Sequence, residues 1–273
     1  AQSRDEALAP AQIYSKVGLS WREDSHGPVH FEATLPSGAR RVIHRDSRPQ
    51  AVRQDVEDSL QRLGRERLDL VQVHFRDTET PITDTMRALL ELREEGKVNE
   101  IGVCNFSLQE VKEAAAALSP VPLCATQIRL NLLQRGPLAA REIVDWCRSQ
   151  GIAVLAYSPL AEGRLARPPS EPEQPADAVD KALTELAALT AEAGVSMAAL
   201  AIAWLNSQPG VSGALAGAST PTQLDAILDA TDVPADLIRQ AAVLFKDVQL
   251  RDPWDGPFWK RKLRGLKRRV FGE

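Results

Sequence analysis

The apolar residues of this chain fall into short continuous runs separated by stretches of helical period. Residues 68–74, LDLVQVH, form the clearest run: a buried-looking strand that ends in a histidine, as parallel strands covered on both faces do. Comparable runs lie at 98–105, 124–131, 152–158 and 212–218. Residues 12–18, QIYSKVG, alternate like a strand and place Tyr14 and Lys16 on one face, with Tyr14 about 7 Å deeper in the core. Between the runs, 50–63 has the period of a helix, with Val52, Val56, Ser59, Leu60 and Leu63 as its inner stripe. Further helices are predicted at 82–95, behind Thr80-Pro81 as N-cap and first helical residue and stopped by Gly96; at 108–118, capped by Ser107; and at 138–150, ended by Gly151. Others cover 179–193, 197–207, the stretch from Thr220-Pro221 to about 229, and about 234–247. Two polar stretches interrupt the order: 21–49, a long loop with a small hairpin around PSGAR, and 161–178, rich in Pro and Glu.

Strands that alternate with helices at this spacing predict an α/β fold with a parallel sheet and right-handed crossovers. Six strands are counted, two fewer than the eight of a closed (β/α)8 barrel. A titratable group just past the carboxyl end of such a strand sits where these barrels place their chemistry, which makes His74 the first catalytic candidate. A structural histidine satisfied at a strand end is the competing reading.

Composition narrows the function classes. The chain has 273 residues, of which 44% are hydrophobic, and a net charge of -4, so it can bury a large core and nothing global points to nucleic acid. Cys104, Cys124 and Cys147 have neither metal-type spacing nor an even disulfide framework, which fits a reducing, cytoplasmic setting. No apolar run reaches a membrane span, and the opening AQSRDEALAP does not read as a signal peptide.

VEDSLQRLGRERLDLVQVHFRD, TPITDTMRALLELREEGKVNEIGVCNFS, QIRLNLLQR and GIAVLAYSPLAEGRL follow one another in order. In these four stretches the sequence resembles the aldo-keto reductase family, most of all its bacterial branch with a long loop after the lysine strand. The resemblance implies a (β/α)8 barrel over residues 1–250, about six of its strands being present, that binds NADPH, or alternatively NADH, and reduces an aldehyde or ketone. It implies catalytic roles for Lys16, in YSKVG, and His74, in VHFRD. The family's lysine lowers the pKa of a tyrosine that protonates the carbonyl, since a phenol near pKa 10 is a poor acid until a cation shifts it. That tyrosine and the aspartate that pairs with the lysine belong, in the family, to a segment upstream of the lysine strand, with two further strands; the sequence in hand starts after it. Tyr14 and Tyr157 are the only tyrosines here.

The same resemblance implies a cofactor site. Asn105 and Cys104, in GVCNF, would contact the carboxamide, with a thiol in place of the family's serine hydroxyl. Gln127 would hold the other side of the carboxamide, Tyr157 would stack on the nicotinamide, and Ser158 and Leu160 would meet the pyrophosphate. Gly217, Ala218, Ser219 and Gln223, in AGASTPTQ, would take the adenosine phosphates at a helix N-terminus. Ser219, however, stands where many relatives have a basic residue, and Ala226 and Ile227 stand where they have glutamate and asparagine. No metal site is expected. The tail, 251–273, places seven basic residues in 260–269 behind Trp254, Phe258 and Trp259; it reads as a solvated segment, a cover over the substrate, or a contact for an acidic surface. Three functions stay open: the carbonyl reductase, a reductase-derived binding or regulatory subunit, and non-redox acid–base chemistry on the same barrel. A small-molecule carbonyl substrate is the expected partner; substrate identity and oligomeric state are not encoded legibly.

Overall fold

The computed structural model describes residues 11–34, 37–136, 141–169 and 177–248. The chain packs as two compact units that divide in sequence between Ala125 and Thr126. The first runs through β1 (Tyr14–Val17), β2 (Leu19–Ser20), β3 (Val29–Thr34), β4 (Arg40–Arg45), α1 (Pro49–Leu63), β5 (Leu68–Val73), α2 (Ile82–Glu94), β6 (Val98–Cys104) and α3 (Leu108–Leu118). β1, β5 and β6 are parallel neighbours, with Lys16 opposite Gln72 and Gln72 opposite Gly102. Leu70, Val71, Gln72 and Val73 are all buried, which is why β5 reads as a nearly unbroken apolar run. The exception, Gln72, is satisfied by donating to the Val103 carbonyl at 3.3 Å. Gly102 leaves it room: a Cβ there would meet the Ala125 carbonyl oxygen at 2.8 Å and Gln72 Cγ at 3.0 Å.

α1 buries Ala51, Val52, Val56 and Leu60, and Gly64 ends it in the left-handed conformation. Leu63, expected on the inner stripe, is 47% exposed, because the helix axis ends there and the chain turns away. α2 begins without a side-chain cap; the expected cap, Thr80, turns the other way and donates to Asp77 at 2.6 Å. α3 has the reciprocal Ser107–Glu110 capping box, as its sequence predicts. The stretch 21–49 is more ordered than expected. The hairpin around PSGAR extends into a three-stranded antiparallel sheet of order β2-β4-β3.

The second unit contains β7 (Ala125–Arg129), α4 (Glu142–Ser149), β8 (Ala153–Tyr157), a 3-10 segment (Ala161–Ala166), α5 (Ala178–Ala193), α6 (Met197–Asn206), β9 (Gly213–Leu215), α7 (Pro221–Leu228), a second 3-10 segment (Asp229–Asp232) and α8 (Ala235–Leu244). β7, β8 and β9 are neighbours in that order, with Tyr157 opposite Leu215 in a parallel pair. α6 is buried from Met197 to Leu205 and is the hydrophobic centre of this unit. The strand expected over 212–218 is only three residues long; from Ala216 to Ser219 the chain is exposed on its way to α7. The start of the helix expected at 138, part of the loop 161–178 and the whole tail 251–273 lie outside the described residues.

Parallel strands following one another in chain order, each joined to the next through helices, make this an α/β fold of the (β/α)8 kind with about six of its eight strands. Among the described residues no single helix is long and apolar enough to cross a membrane.

Candidate active site

In the first unit the parallel pairing of β1 with β5 brings the lysine and the histidine together. His74, one residue past β5, donates its backbone N–H to the Val17 carbonyl at 2.9 Å. Lys16 and His74 then line one cavity of about 350 Å³, with Ser20, Trp21, Arg22 and Asp55. Lys16 is half-buried and makes no hydrogen bond or ion pair with another described residue. Burial, reinforced by the positive charge of Lys16 and by His30, pushes the His74 imidazole down to about 4. The ring is therefore neutral at pH 7 and carries one N–H that can donate.

The turn after Lys16 is held in place by α1. Asp55 accepts the Gly18 N–H at 2.9 Å and pairs with Arg22 at 2.7 Å. Burial raises its pKa above the ordinary carboxylate value despite those two contacts. Gly18 has a φ of +90°, and a Cβ on it would meet Ser47 Oγ at 2.9 Å, so no other residue fits this turn without strain.

His30 packs behind this site, against Phe75, and was not foreseen from the sequence. A register shift between Val29 and Phe31 bulges β3 and turns His30 inward, as bulges re-aim side chains. Its ring lies 4.3 Å from that of Phe75, and Phe75 stacks on His74 at 4.8 Å. Arg45 sits 5.2 Å over the Phe75 ring and donates to His30 Nδ1 at 3.1 Å. Burial, then the charge of Arg45, lowers the His30 pKa to about 4. The β2-β4-β3 sheet thus braces the catalytic candidate through its aromatic neighbour. Only the alternation within β3 could have signalled it, and the bulge breaks that alternation.

Tyr14 differs from expectation. It is 50% exposed and its hydroxyl donates to Gln12 at 3.0 Å; among the described residues nothing covers this face of β1.

Asn105, just after β6, has a φ of 59°. Its amide donates to the His74 carbonyl at 3.0 Å and to Cys104 Sγ at 3.1 Å. Cys104 is fully buried, and burial pushes its thiol up to about 12, so it is no nucleophile near neutral pH.

In the second unit Gln127 is buried, and its Oε1 has no hydrogen-bond partner; the neighbouring Thr126 Oγ1 is in the same state. A buried acceptor without a donor is costly. A ligand amide is the kind of group that satisfies it, so Gln127 fits a nicotinamide carboxamide; Thr126, next to it along β7, points to the opposite face of the sheet. Asn131 ties the next strand end in place, donating to the Ser158 carbonyl at 2.9 Å. Ser158, like Asn105, follows its strand with a positive φ, 53°. Such backbone outliers concentrate at functional sites. Arg129 lies 5.8 Å over the Tyr157 ring, donates to Gln134 at 2.7 Å and pairs with Glu162.

Ser158 and Leu160 open onto a second cavity, of about 740 Å³, whose other wall includes Gly217, Ser219 and Gln223. Ala218 is exposed and is not part of that wall. The turn before α7 is closed by its own bonds: Ser219 N–H donates to Gln223 Oε1 at 2.7 Å and Gln223 N–H to Thr220 Oγ1 at 3.2 Å. Among the described residues no cluster of three or more His, Cys, Asp or Glu could hold a metal.

Residues 10–238 match the sequence profile of the aldo/keto reductase family. The chain is 29% identical to the NADH-specific methylglyoxal reductase of Escherichia coli, over 84% of this chain and 74% of that protein. It is 31% identical to the aldo-keto reductase YhdN of Bacillus subtilis, over 65% of this chain and 57% of that protein. Against the fungal aldo-keto reductase AFTS1 of Alternaria alternata it spans about half the relative's length, 52%. Two solved structures share the fold. The glycerol dehydrogenase AKR11B4 of Gluconobacter oxydans superimposes with a TM-score of 0.67 at 26% identity, over 96% of this chain and 74% of that one. The thermostable aldo-keto reductase Tm1743 does so with a TM-score of 0.61 at 26% identity, over 72% and 67%. The chain belongs to the aldo/keto reductase family.

Proposed function

We propose that the chain serves the NADPH-dependent reduction of an aldehyde or ketone to an alcohol, or the reverse oxidation, with NADH as a second cofactor. The observation that carries this reading is the Lys16 ammonium, without a partner among the described residues, in one cavity with a neutral His74. An ammonium there favours negative charge on a nearby oxygen and lowers the pKa of a hydroxyl brought beside it. A neutral imidazole N–H orients a carbonyl oxygen without adding a second charge. Asn105 and Gln127 would hold the carboxamide, with Tyr157 against the ring face; Ser158, Leu160, Gly217, Ser219 and Gln223 would take the phosphates, and Cys104 would act through Asn105. A bound nicotinamide cofactor would supply the hydride, and the hydroxyl or water held beside Lys16 would supply the proton. The named activities of the E. coli and Gluconobacter proteins support a small polar carbonyl or alcohol as the substrate class.

The test is steady-state oxidation of NADPH by residues 1–273 against a panel of short aldehydes and ketones. Lys16→Met and His74→Gln should each lower turnover about a hundredfold. Carbonyl-independent background in the wild type would sink the redox reading. A second reading, cofactor binding without turnover, is favoured by one observation: among the described residues no tyrosine lines the cavity of Lys16 and His74. Tight cofactor binding with no turnover across the panel would support it.

A further inference from the structure

α5 and α8 pack side by side in the second unit and leave a groove of about 530 Å³ between their solvent-facing sides. Its floor is apolar: Ala188 and Leu189 from α5, Val243 and Leu244 from α8. Val243 is 70% exposed, more than any other large hydrophobic residue described. Glu185 and Glu192 flank the floor on the α5 side, about 10 Å apart along the helix, and neither is paired with another described residue. The cation of the groove, Arg239, is already ion-paired with Asp236. The groove therefore offers an apolar strip with two free carboxylates beside it.

The chain carries the complement of this surface a few residues away. Eight of its 33 basic residues and three of its 37 acidic ones lie in 251–273, so that segment has a charge of +5 and the rest of the chain -9. Within it, Trp254, Phe258 and Trp259 come first and seven basic residues follow in 260–269. α8 is not extended beyond Leu244; two turns follow it, with the Lys246 N–H donating to the Val243 carbonyl at 3.0 Å and the Val248 N–H to the Phe245 carbonyl at 3.2 Å. The chain thus bends at the end of the groove itself. From Val248 the six residues to Trp254 span up to about 20 Å, twice the distance between the two glutamates.

We propose that the groove between α5 and α8 is the docking site of the chain's own C-terminal segment, with aromatic residues of 254–259 on Ala188, Leu189, Val243 and Leu244 and the basic residues after them against Glu185 and Glu192. Burying the apolar floor supplies the driving force, and the free carboxylates select a basic segment and fix its direction. The short connection makes the docking intramolecular, at high effective concentration. The groove shares no lining residue with the cavity of Ser158 and Gly217, so a segment held there leaves that cavity uncovered.

The experiment uses the whole chain, as an equal mixture of unlabelled and 15N-labelled protein. Zero-length carbodiimide cross-linking read by mass spectrometry should join Glu185 or Glu192 to Lys260 or Lys262 within one chain. Tryptic cleavage in 260–269 should be about tenfold faster in Val243→Asp and in Glu185→Lys with Glu192→Lys than in the wild type, since cleavage follows the undocked population. Salt at 1 M should speed the wild type as well. The substituted residues are exposed, so unchanged melting curves are the expected control on folding. Equal cleavage rates in the wild type and both variants overturn the proposal. So do cross-links found only between labelled and unlabelled chains, which would make the occupant a second copy, and protection that arises only on adding phosphatidylglycerol vesicles, which would make the segment a membrane contact.

Discussion

Asn105 is tied back to His74. Its side-chain amide donates to the His74 carbonyl at 3.0 Å, from a backbone held in the left-handed region. The bond fixes the backbone at the end of β5, and with it the base of the imidazole. Asn105→Ala loses the bond and keeps the unfavourable φ, so it should cost about 1–3 kcal/mol of stability. Asn105→Gly relieves the φ and should cost about 1 kcal/mol less. Urea unfolding of the two variants checks the order. Equal losses would show that the backbone conformation is not a source of strain there.

His30, which is buried, and His74, which is half-buried, give stability a pH dependence. Both have folded pKa values of about 4, below the ordinary 6.5, so between those values the unfolded chain binds more protons than the folded one. Stability is then full above about pH 6.5, falls as pH drops toward 4, and levels off below it as far as these groups are concerned. Urea midpoints at pH 7, 5.5 and 4.5, compared with those of a His30→Gln variant, should show a shallower decline once His30 is gone. Parallel curves for the two proteins would contradict the assignment.

Gly18 sets the turn that follows Lys16. Gly18→Ala places a Cβ against Ser47 Oγ at a residue with φ of +90° and should lose about 2 kcal/mol or more. If the cavity of Lys16 and His74 depends on that turn, the variant also loses carbonyl turnover beyond what its stability explains. Turnover measured well below the unfolding transition separates the two effects.

The stretch after β8 is held by the Glu162–Arg129 pair and contains three successive residues of positive φ: Ala161, Glu162 and Gly163. Glu162→Gln removes the charge from the pair and should raise the dissociation rate of the cofactor several-fold, with little change in association. Stopped-flow displacement reads this directly. An unchanged dissociation rate would mean that the pair does not restrain this stretch.

The positions of the strands were legible because buried parallel strands must be nearly all apolar, and 68–74 and 152–158 announce themselves that way. Their ends were less so. The strand expected over 212–218 stops at Leu215, since small apolar residues continue into an exposed turn. Lys16 and His74 were readable through the family resemblance, and both line the cavity described. His30 was not, because a one-residue bulge re-aims it. Nor was the Arg129–Glu162 pair, whose members are 33 residues apart in segments where a charge reads as solvated. Tyr14 was misjudged as a core residue because alternation gives a face but not what covers it.

The central claim, that the chain holds a nicotinamide cofactor with Gln127 as the buried acceptor for its carboxamide, is tested most directly by titrating NADPH into the wild type and Gln127→Ala while following tryptophan fluorescence. The account predicts saturable, micromolar quenching in the wild type and binding roughly tenfold weaker in the variant. No saturation by the wild type up to millimolar NADPH or NADH would contradict it.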